Sequence, residues 1–153
     1  MATENFSGAY ASIKEILQSA RSQAFRAVNF AMVKAYWEIG RVIVEEELRG
    51  KNRANYGERL IDELSERLSK EFGAGFNRSN LFYIRQFYLM FPKVHALRGQ
   101  LTWTHYRLLL RQENEYARRF YLNECINSRW STRELDRQMN SLLYERLALS
   151  KDK

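Results

Sequence analysis

Polar residues crowd one short aromatic-rich segment, Phe76 to Pro92, among them Arg78, Ser79, Asn80, Tyr83, Arg85 and Gln86. On one helix their chemistry suits a nucleic-acid groove. Arginine donates two hydrogen bonds to guanine, asparagine pairs with adenine, and serine reaches a phosphate or a base edge. Further along stand Arg107, Arg111, Arg129 and Arg133, whose guanidinium groups suit phosphate oxygens. Charge is partitioned to match. Residues 1–77 hold 11 Lys and Arg against 11 Asp and Glu, whereas residues 78–146 hold 12 against 6. An excess confined to one half of a chain attracts polyanions whatever their sequence.

Other reactive residue types do not assemble into a site. His95, His105 and Cys125 lack any C-x-x-C or H-x-x-x-H spacing, so no metal site and no cofactor is expected. His105 reads as a structural histidine that caps Thr102, with a phosphate contact as the alternative. Cys125 lies on an apolar helical face with no histidine nearby, which makes it a small buried hydrophobe rather than a nucleophile. Glu45, Glu46 and Glu47 read as an acidic, solvated helix end. Gly73-Ala74-Gly75 lacks the lysine and the preceding strand of a phosphate loop. Tyr83, Phe87, Tyr88, Tyr106, Tyr116, Tyr121 and Trp130 could stack on bases, but most fall at core spacing.

The elements that must carry these side chains are helices. Seven glycines and one proline in 153 residues leave few devices for a many-stranded sheet, and 45% hydrophobic content is enough for one core. Tyr10, Ile13, Leu17, Ala20, Ala24, Val28, Ala31, Ala35, Ile39 and Val42 recur at spacings of three and four, predicting a helix from Tyr10 to Leu48. A second row, Phe25, Met32, Tyr36 and Ile43 with Trp37 alongside, predicts burial from two sides by other helices or a second chain. So long a helix must bend, break or protrude, with Ser19 to Ser22 and Gly40 as weak points.

Leu60, Leu64, Leu68 and Phe72 then predict a second helix from about Gly57, stopped by Gly73 and Gly75. Asn77 is placed to cap a third, which ends at Phe91 before Pro92. The pair reads as a helix-turn-helix, although plain bundles use the same arrangement. Thr102 or Thr104 caps a short helix with Trp103 as a staple, and another runs from about Glu115 to Ser128. Ser131-x-x-Glu134 reads as a capping box opening one last helix, with Leu135, Met139, Leu142, Leu143 and Leu147 on one face. The expected fold is all-α: a single helical domain over residues 10–147, a tail over 1–9, and a tail or linker start from 148.

Several joint motifs are familiar: YWEIG at Tyr36–Gly40, Tyr56-Gly57, Phe72-Gly73, Asn80-Leu81, RQFY at Arg85–Tyr88, Phe91-Pro92, LTWTHYRLLL at Leu101–Leu110 and WSTREL at Trp130–Leu135. With them the chain resembles, over nearly its whole length after Tyr10, the N-terminal domain of YhcG-type proteins. Longer members of that family carry a C-terminal nuclease domain of the PD-(D/E)XK superfamily. The resemblance implies a DNA-binding or targeting domain ahead of a metal-dependent nuclease. The strand-borne acidic residue and D/E-x-K pair of such a nuclease are absent here, so binding without cleavage is expected.

The sequence therefore predicts a non-catalytic domain that binds DNA, double-stranded by preference. The nucleic-acid contacts would be Arg78, Ser79, Asn80, Tyr83, Arg85, Arg107, Arg111, Arg129 and Arg133. Its partner would be the nuclease domain in cis or in trans, with a homo-oligomer possible and no membrane. The alternative is a helical protein-interaction or dimerisation module of the nuclease, built on the long first helix. No apolar run reaches the ~18 residues of a membrane span, and a cytoplasmic location is expected.

Overall fold

A helix that opens at Ser7 and closes only at Arg49, α1, organises the molecule. At ~1.5 Å per residue its 43 residues extend about 64 Å. The computed structural model describes residues 4–93 and 99–151. The elements after α1 are α2 (Tyr56–Phe72), α3 (Arg78–Met90), α4 (Trp103–Leu109), α5 (Glu115–Asn127), α6 (Thr132–Asn140) and α7 (Leu143–Lys151). No strand occurs among the described residues. The fold is all-α, as the sequence predicts.

The first helix protrudes rather than breaks. Every residue from Glu4 to Val28 is exposed, and burial begins only beyond it, at Val33, Trp37, Gly40 and Ile43. The expected two-sided burial holds for Trp37 and Ile43, with Tyr36 half-buried, but Phe25 and Met32 remain exposed. Gly40 is not a weak point but a point of closest approach. A Cβ there would lie 2.5 Å from the Ile84 carbonyl oxygen and 2.9 Å from Tyr88 Cβ, so α1 and α3 pack almost backbone to backbone.

Around that crossing the core forms in two connected parts. Ile43, Ile61, Leu81 and Ile84 join α1, α2 and α3. Phe87, Tyr106, Leu109, Tyr121 and Leu135 join α3 to α4, α5 and α6. The rings of Phe87, Phe91 and Tyr106 meet in tilted and edge-on pairs at 4.9 to 5.5 Å, and Trp37 donates to the Phe91 carbonyl oxygen at 2.6 Å. Leu101 is buried at the end of the connection after Pro92; residues 94–98, and with them His95, lie outside the described residues.

Helix starts at Asn77, Thr102 and Ser131 follow the predicted caps, and Asn114 is a cap that the sequence reading did not single out. The side chains of Asn77, Thr102, Asn114 and Ser131 each accept from a backbone amide in the first turn of α3, α4, α5 and α6. Two expectations need correcting. Glu134 does not complete a capping box, because its carboxylate accepts from Arg137 and Gln138 instead. The last helix is also two helices: Leu142 adopts φ +57° and is exposed, which ends α6 and redirects the chain into α7. Helical periodicity continued through Leu142, but a left-handed residue between two helices keeps the apolar spacing while changing the axis.

Candidate nucleic-acid interface

The helix expected to read a groove, α3, buries Leu81, Ile84 and Phe87 and exposes Arg78, Ser79, Phe82 and Leu89. Of its polar residues, Arg78 and Ser79 are thus on the outer face. Arg78 is ion-paired with Asp62 of α2 and its guanidinium lies 5.3 Å from the Phe82 ring centre. Asn80 and Arg85 are engaged inward. The Asn80 amide donates to the Gly75 carbonyl oxygen and its oxygen accepts from Trp103 Nε1 at 3.4 Å, fastening the turn to α4. Arg85 Nε donates to both Glu47 oxygens, at 2.8 and 2.9 Å, tying α3 to the end of α1. Trp103, expected as a staple, instead joins Tyr36 of α1 and Phe87 of α3 at ring distances of 4.9 and 5.1 Å.

The turn before α3 explains this placement. Gly73 and Gly75 take φ +77° and +108°, a conformation only glycine adopts without strain. The chain thereby reverses within five residues, and α2 packs its Ile61 face beside α3.

The arginines beyond α3 divide by their partners. Arg111 donates to Asp136 of α6 at 3.0 Å, and Arg119 and Arg137 pair with carboxylates on their own helices. Carboxylates are therefore better distributed than the sequence counts imply, since pairing across helices is invisible there. Arg107 has no carboxylate within ion-pair distance among the described residues; its guanidinium stacks 4.5 Å from the centre of the Tyr83 ring. Exposed Arg129 and Arg133 have no such partner either among the described residues. Helix α4 thus reaches α3 through Arg107 and, just past its end, α6 through Arg111.

Two of these arginines stand where local preference disfavours them. Arg129 has φ +52°. It follows α5 at the position where Trp130 N–H returns to the Cys125 carbonyl oxygen at 3.1 Å, a helix ending that favours glycine. A left-handed non-glycine residue costs roughly 1 kcal/mol there. Arg133 lies in the first turn of α6, where the helix dipole is positive and disfavours a cation. Arg129 also lines an open hollow of about 520 Å³ with Arg26, Gln100, Cys125, Ile126 and Trp130. Arg26 was not legible as a site residue, because its nearness to the α5–α6 corner is purely tertiary.

His105 holds this corner. It is buried, Thr102 N–H donates to its Nδ1 at 3.1 Å, and Nε2 lies 2.9 Å from the Trp130 carbonyl oxygen. With Nδ1 accepting, the ring proton sits on Nε2 and is donated to Trp130, so the ring has no free nitrogen for phosphate. Replacing His105 with alanine is expected to cost about 2–3 kcal/mol in urea unfolding, because it opens a cavity and leaves two backbone groups unpaired. A loss under 0.5 kcal/mol would mean that water takes over both bonds.

The remaining candidates are quiet. Burial pushes the Cys125 thiol up to about 12, with the nearby Glu124 charge adding to it, so a thiolate nucleophile does not form at neutral pH. Glu45 pairs with Arg41, Glu46 accepts from the Tyr56 hydroxyl at 2.7 Å, and Glu47 holds Arg85; this helix end is structural rather than merely solvated. No cluster of three His, Cys, Asp or Glu able to hold a metal occurs among the described residues. No helix among them is long and apolar enough to cross a membrane.

Residues 12–146 match the DUF1016 N-terminal domain. The chain belongs to that family. It is also 36% identical, over 92% of its length, to the Escherichia coli (strain K12) protein named "Putative nuclease YhcG". It spans only 46% of that relative's length. No solved structure matches it. For the DUF1016 N-terminal domain, the arrangement above means a helical body with a protruding α1 and basic side chains on α3, α4, the α5–α6 corner and α6.

Proposed function

We propose that this domain binds duplex DNA and presents it to a nuclease domain, in cis or in trans, without cutting the DNA itself. The observation that carries the reading is the α5–α6 corner. There Arg129 and Arg133, both exposed and without a carboxylate partner among the described residues, bracket the amino end of α6 in positions that cost local stability. A phosphate at that corner would offset both penalties, since it meets two guanidinium groups and the positive end of a helix dipole. Arg107 on its Tyr83 platform extends phosphate contacts along α4, and Arg111, just past its end, must exchange Asp136 for a phosphate to join them.

In this reading α2 and α3 act as a helix-turn-helix pair whose outer residues, Arg78 and Ser79 with Tyr83 at the edge, approach a groove. Asn80 and Arg85 support it from behind through Trp103 and Glu47. Arg78 must exchange Asp62 for DNA, which makes it a weaker contributor than its position suggests. The family relationship supports the nuclease context, because the E. coli relative bears a nuclease name and extends well beyond the shared region.

The test is a titration of a labelled duplex of ~20 base pairs at 50 and 200 mM salt. With four or five phosphate contacts, affinity is expected to fall on the order of 100-fold between the two. Failure to bind at 50 mM, or affinity indifferent to salt, would defeat the proposal. The same duplex should remain intact on prolonged incubation with magnesium.

A further inference from the structure

The projecting part of α1 is a long exposed helix, which nears the body only where Arg26 lines the hollow at the α5–α6 corner. From Ser7 to Val28 every side chain is exposed, including Tyr10 at 68%, Ile13 at 55% and Leu17 at 53%. In proteins most of the stability of a helix comes from burial of an apolar face, which this arm does not find within its own chain. That face is continuous: Tyr10, Ile13, Leu17, Ala20, Ala24, Ala27 and Ala31 follow one another at alternating steps of three and four. This is the seam of a two-stranded coiled coil. Over the arm it is free of the body, because every residue from Ser7 to Val28 is exposed, and Phe30, which packs inward beside Ala27, marks where the seam meets the body.

We propose that a second copy of this chain covers the seam, in antiparallel pairing of the two α1 arms. Size complementarity decides the occupant and its direction. The first half of the seam is bulky and the second half is alanine. Antiparallel alignment of two identical arms sets Tyr10 opposite Ala27, Ile13 opposite Ala24 and Leu17 opposite Ala20, and the two-fold axis repeats each layer. Every large side chain then meets a small one, as close helix packing requires. Parallel alignment would stack tyrosine on tyrosine at one end and alanine on alanine at the other. Val28, exposed at 62%, flanks the seam and gains cover at its edge.

In this register residues 9–28 of the two arms pair, a span of ~30 Å against a helix ~10 Å wide. Each copy therefore contributes roughly 300 Å² in plan, a small contact below the ~800 Å² per partner of a standard interface, so a micromolar rather than a tighter dimer is expected. Lys14 and Arg21 lie along one edge of the seam, so each arm's pair faces its counterpart across the antiparallel contact. Association is accordingly expected to hold or tighten as salt rises. Phosphate binding weakens under the same change, which keeps the two proposals separable.

Sedimentation equilibrium of the 153-residue protein tests the pairing. The expected result is a two-chain species at micromolar concentration in 0.5 M salt. Leu17→Glu should raise the dissociation constant at least ~100-fold, since both symmetry-related leucines lose their burial. Unfolding of the body should be unchanged, because Leu17 touches none of it. Direction is read by cross-linking. Chains carrying Ile13→Cys, mixed with chains carrying Ala24→Cys, should form disulfide-linked heterodimers on mild oxidation, and neither variant should cross-link alone. A monomer up to ~100 μM, a dimer indifferent to Leu17→Glu, or cross-linking within a single variant would each overturn the proposal.

Discussion

Gly40→Ala is expected to destabilise the protein by about 2–3 kcal/mol, although the same exchange inside an ordinary helix stabilises by up to ~1 kcal/mol. The sign reverses because of what faces the new methyl. Its carbon would sit 2.5 Å from the Ile84 carbonyl oxygen and 2.9 Å from Tyr88 Cβ, and neither belongs to the far end of a flexible side chain. Either α1 and α3 separate, loosening Ile43, Ile61, Leu81 and Ile84 together, or α3 shifts along α1 and breaks the ion pair in which Arg85 Nε is shared by both Glu47 oxygens. Denaturant unfolding should show a lower midpoint with an unchanged slope. Raised stability would mean that the two helices are not in backbone contact. Because α3 carries Tyr83 beneath Arg107, a shifted α3 should also weaken DNA binding in whatever fraction remains folded.

The contrast at Gly40 shows where sequence reading reaches its limit. The helical stripe from Tyr10, the capping residues Asn77, Thr102 and Ser131, and the glycine turn before α3 are local signals, and each element lies where they put it. What a glycine within a helix does is not local. Flexibility and close approach leave the same letter in the chain, and only the position of Ile84 distinguishes them. The arginines follow the same rule. Arg85 and Arg111 look unpaired because Glu47 and Asp136 are 38 and 25 residues away, and Asn80 looks available because Trp103 is 23 residues away. The break at Leu142 was hidden for another reason: a leucine stands where glycine or asparagine would have announced a left-handed residue.

Neutralising Arg107, Arg129 and Arg133, three of the arginines with no carboxylate partner among the described residues, should abolish most DNA affinity without harming the fold. The variant Arg107→Gln, Arg129→Gly, Arg133→Gln is expected to bind duplex DNA on the order of 100-fold more weakly at 0.1 M salt. The slope of log affinity against log salt should flatten by about 2.7, or ~0.9 for each phosphate contact removed. Stability should move the other way. Glycine relieves the left-handed strain at residue 129, whose φ is +52°, and removing a cation from the first turn of α6 ends its opposition to the dipole. Loss of the Arg107–Tyr83 stacking, at 4.5 Å, offsets part of the gain, leaving the variant as stable as the parent or up to ~1 kcal/mol more so. A control separates specific contacts from net charge. Arg41→Gln, Arg49→Gln, Arg67→Gln removes the same three charges from α1 and α2, where each is already paired with a glutamate. If that control loses affinity equally, attraction is diffuse and the corner is not a site. If the first variant alone fails to bind while unfolding no earlier, the cost carried at Arg129 and Arg133 is explained by the phosphate they hold.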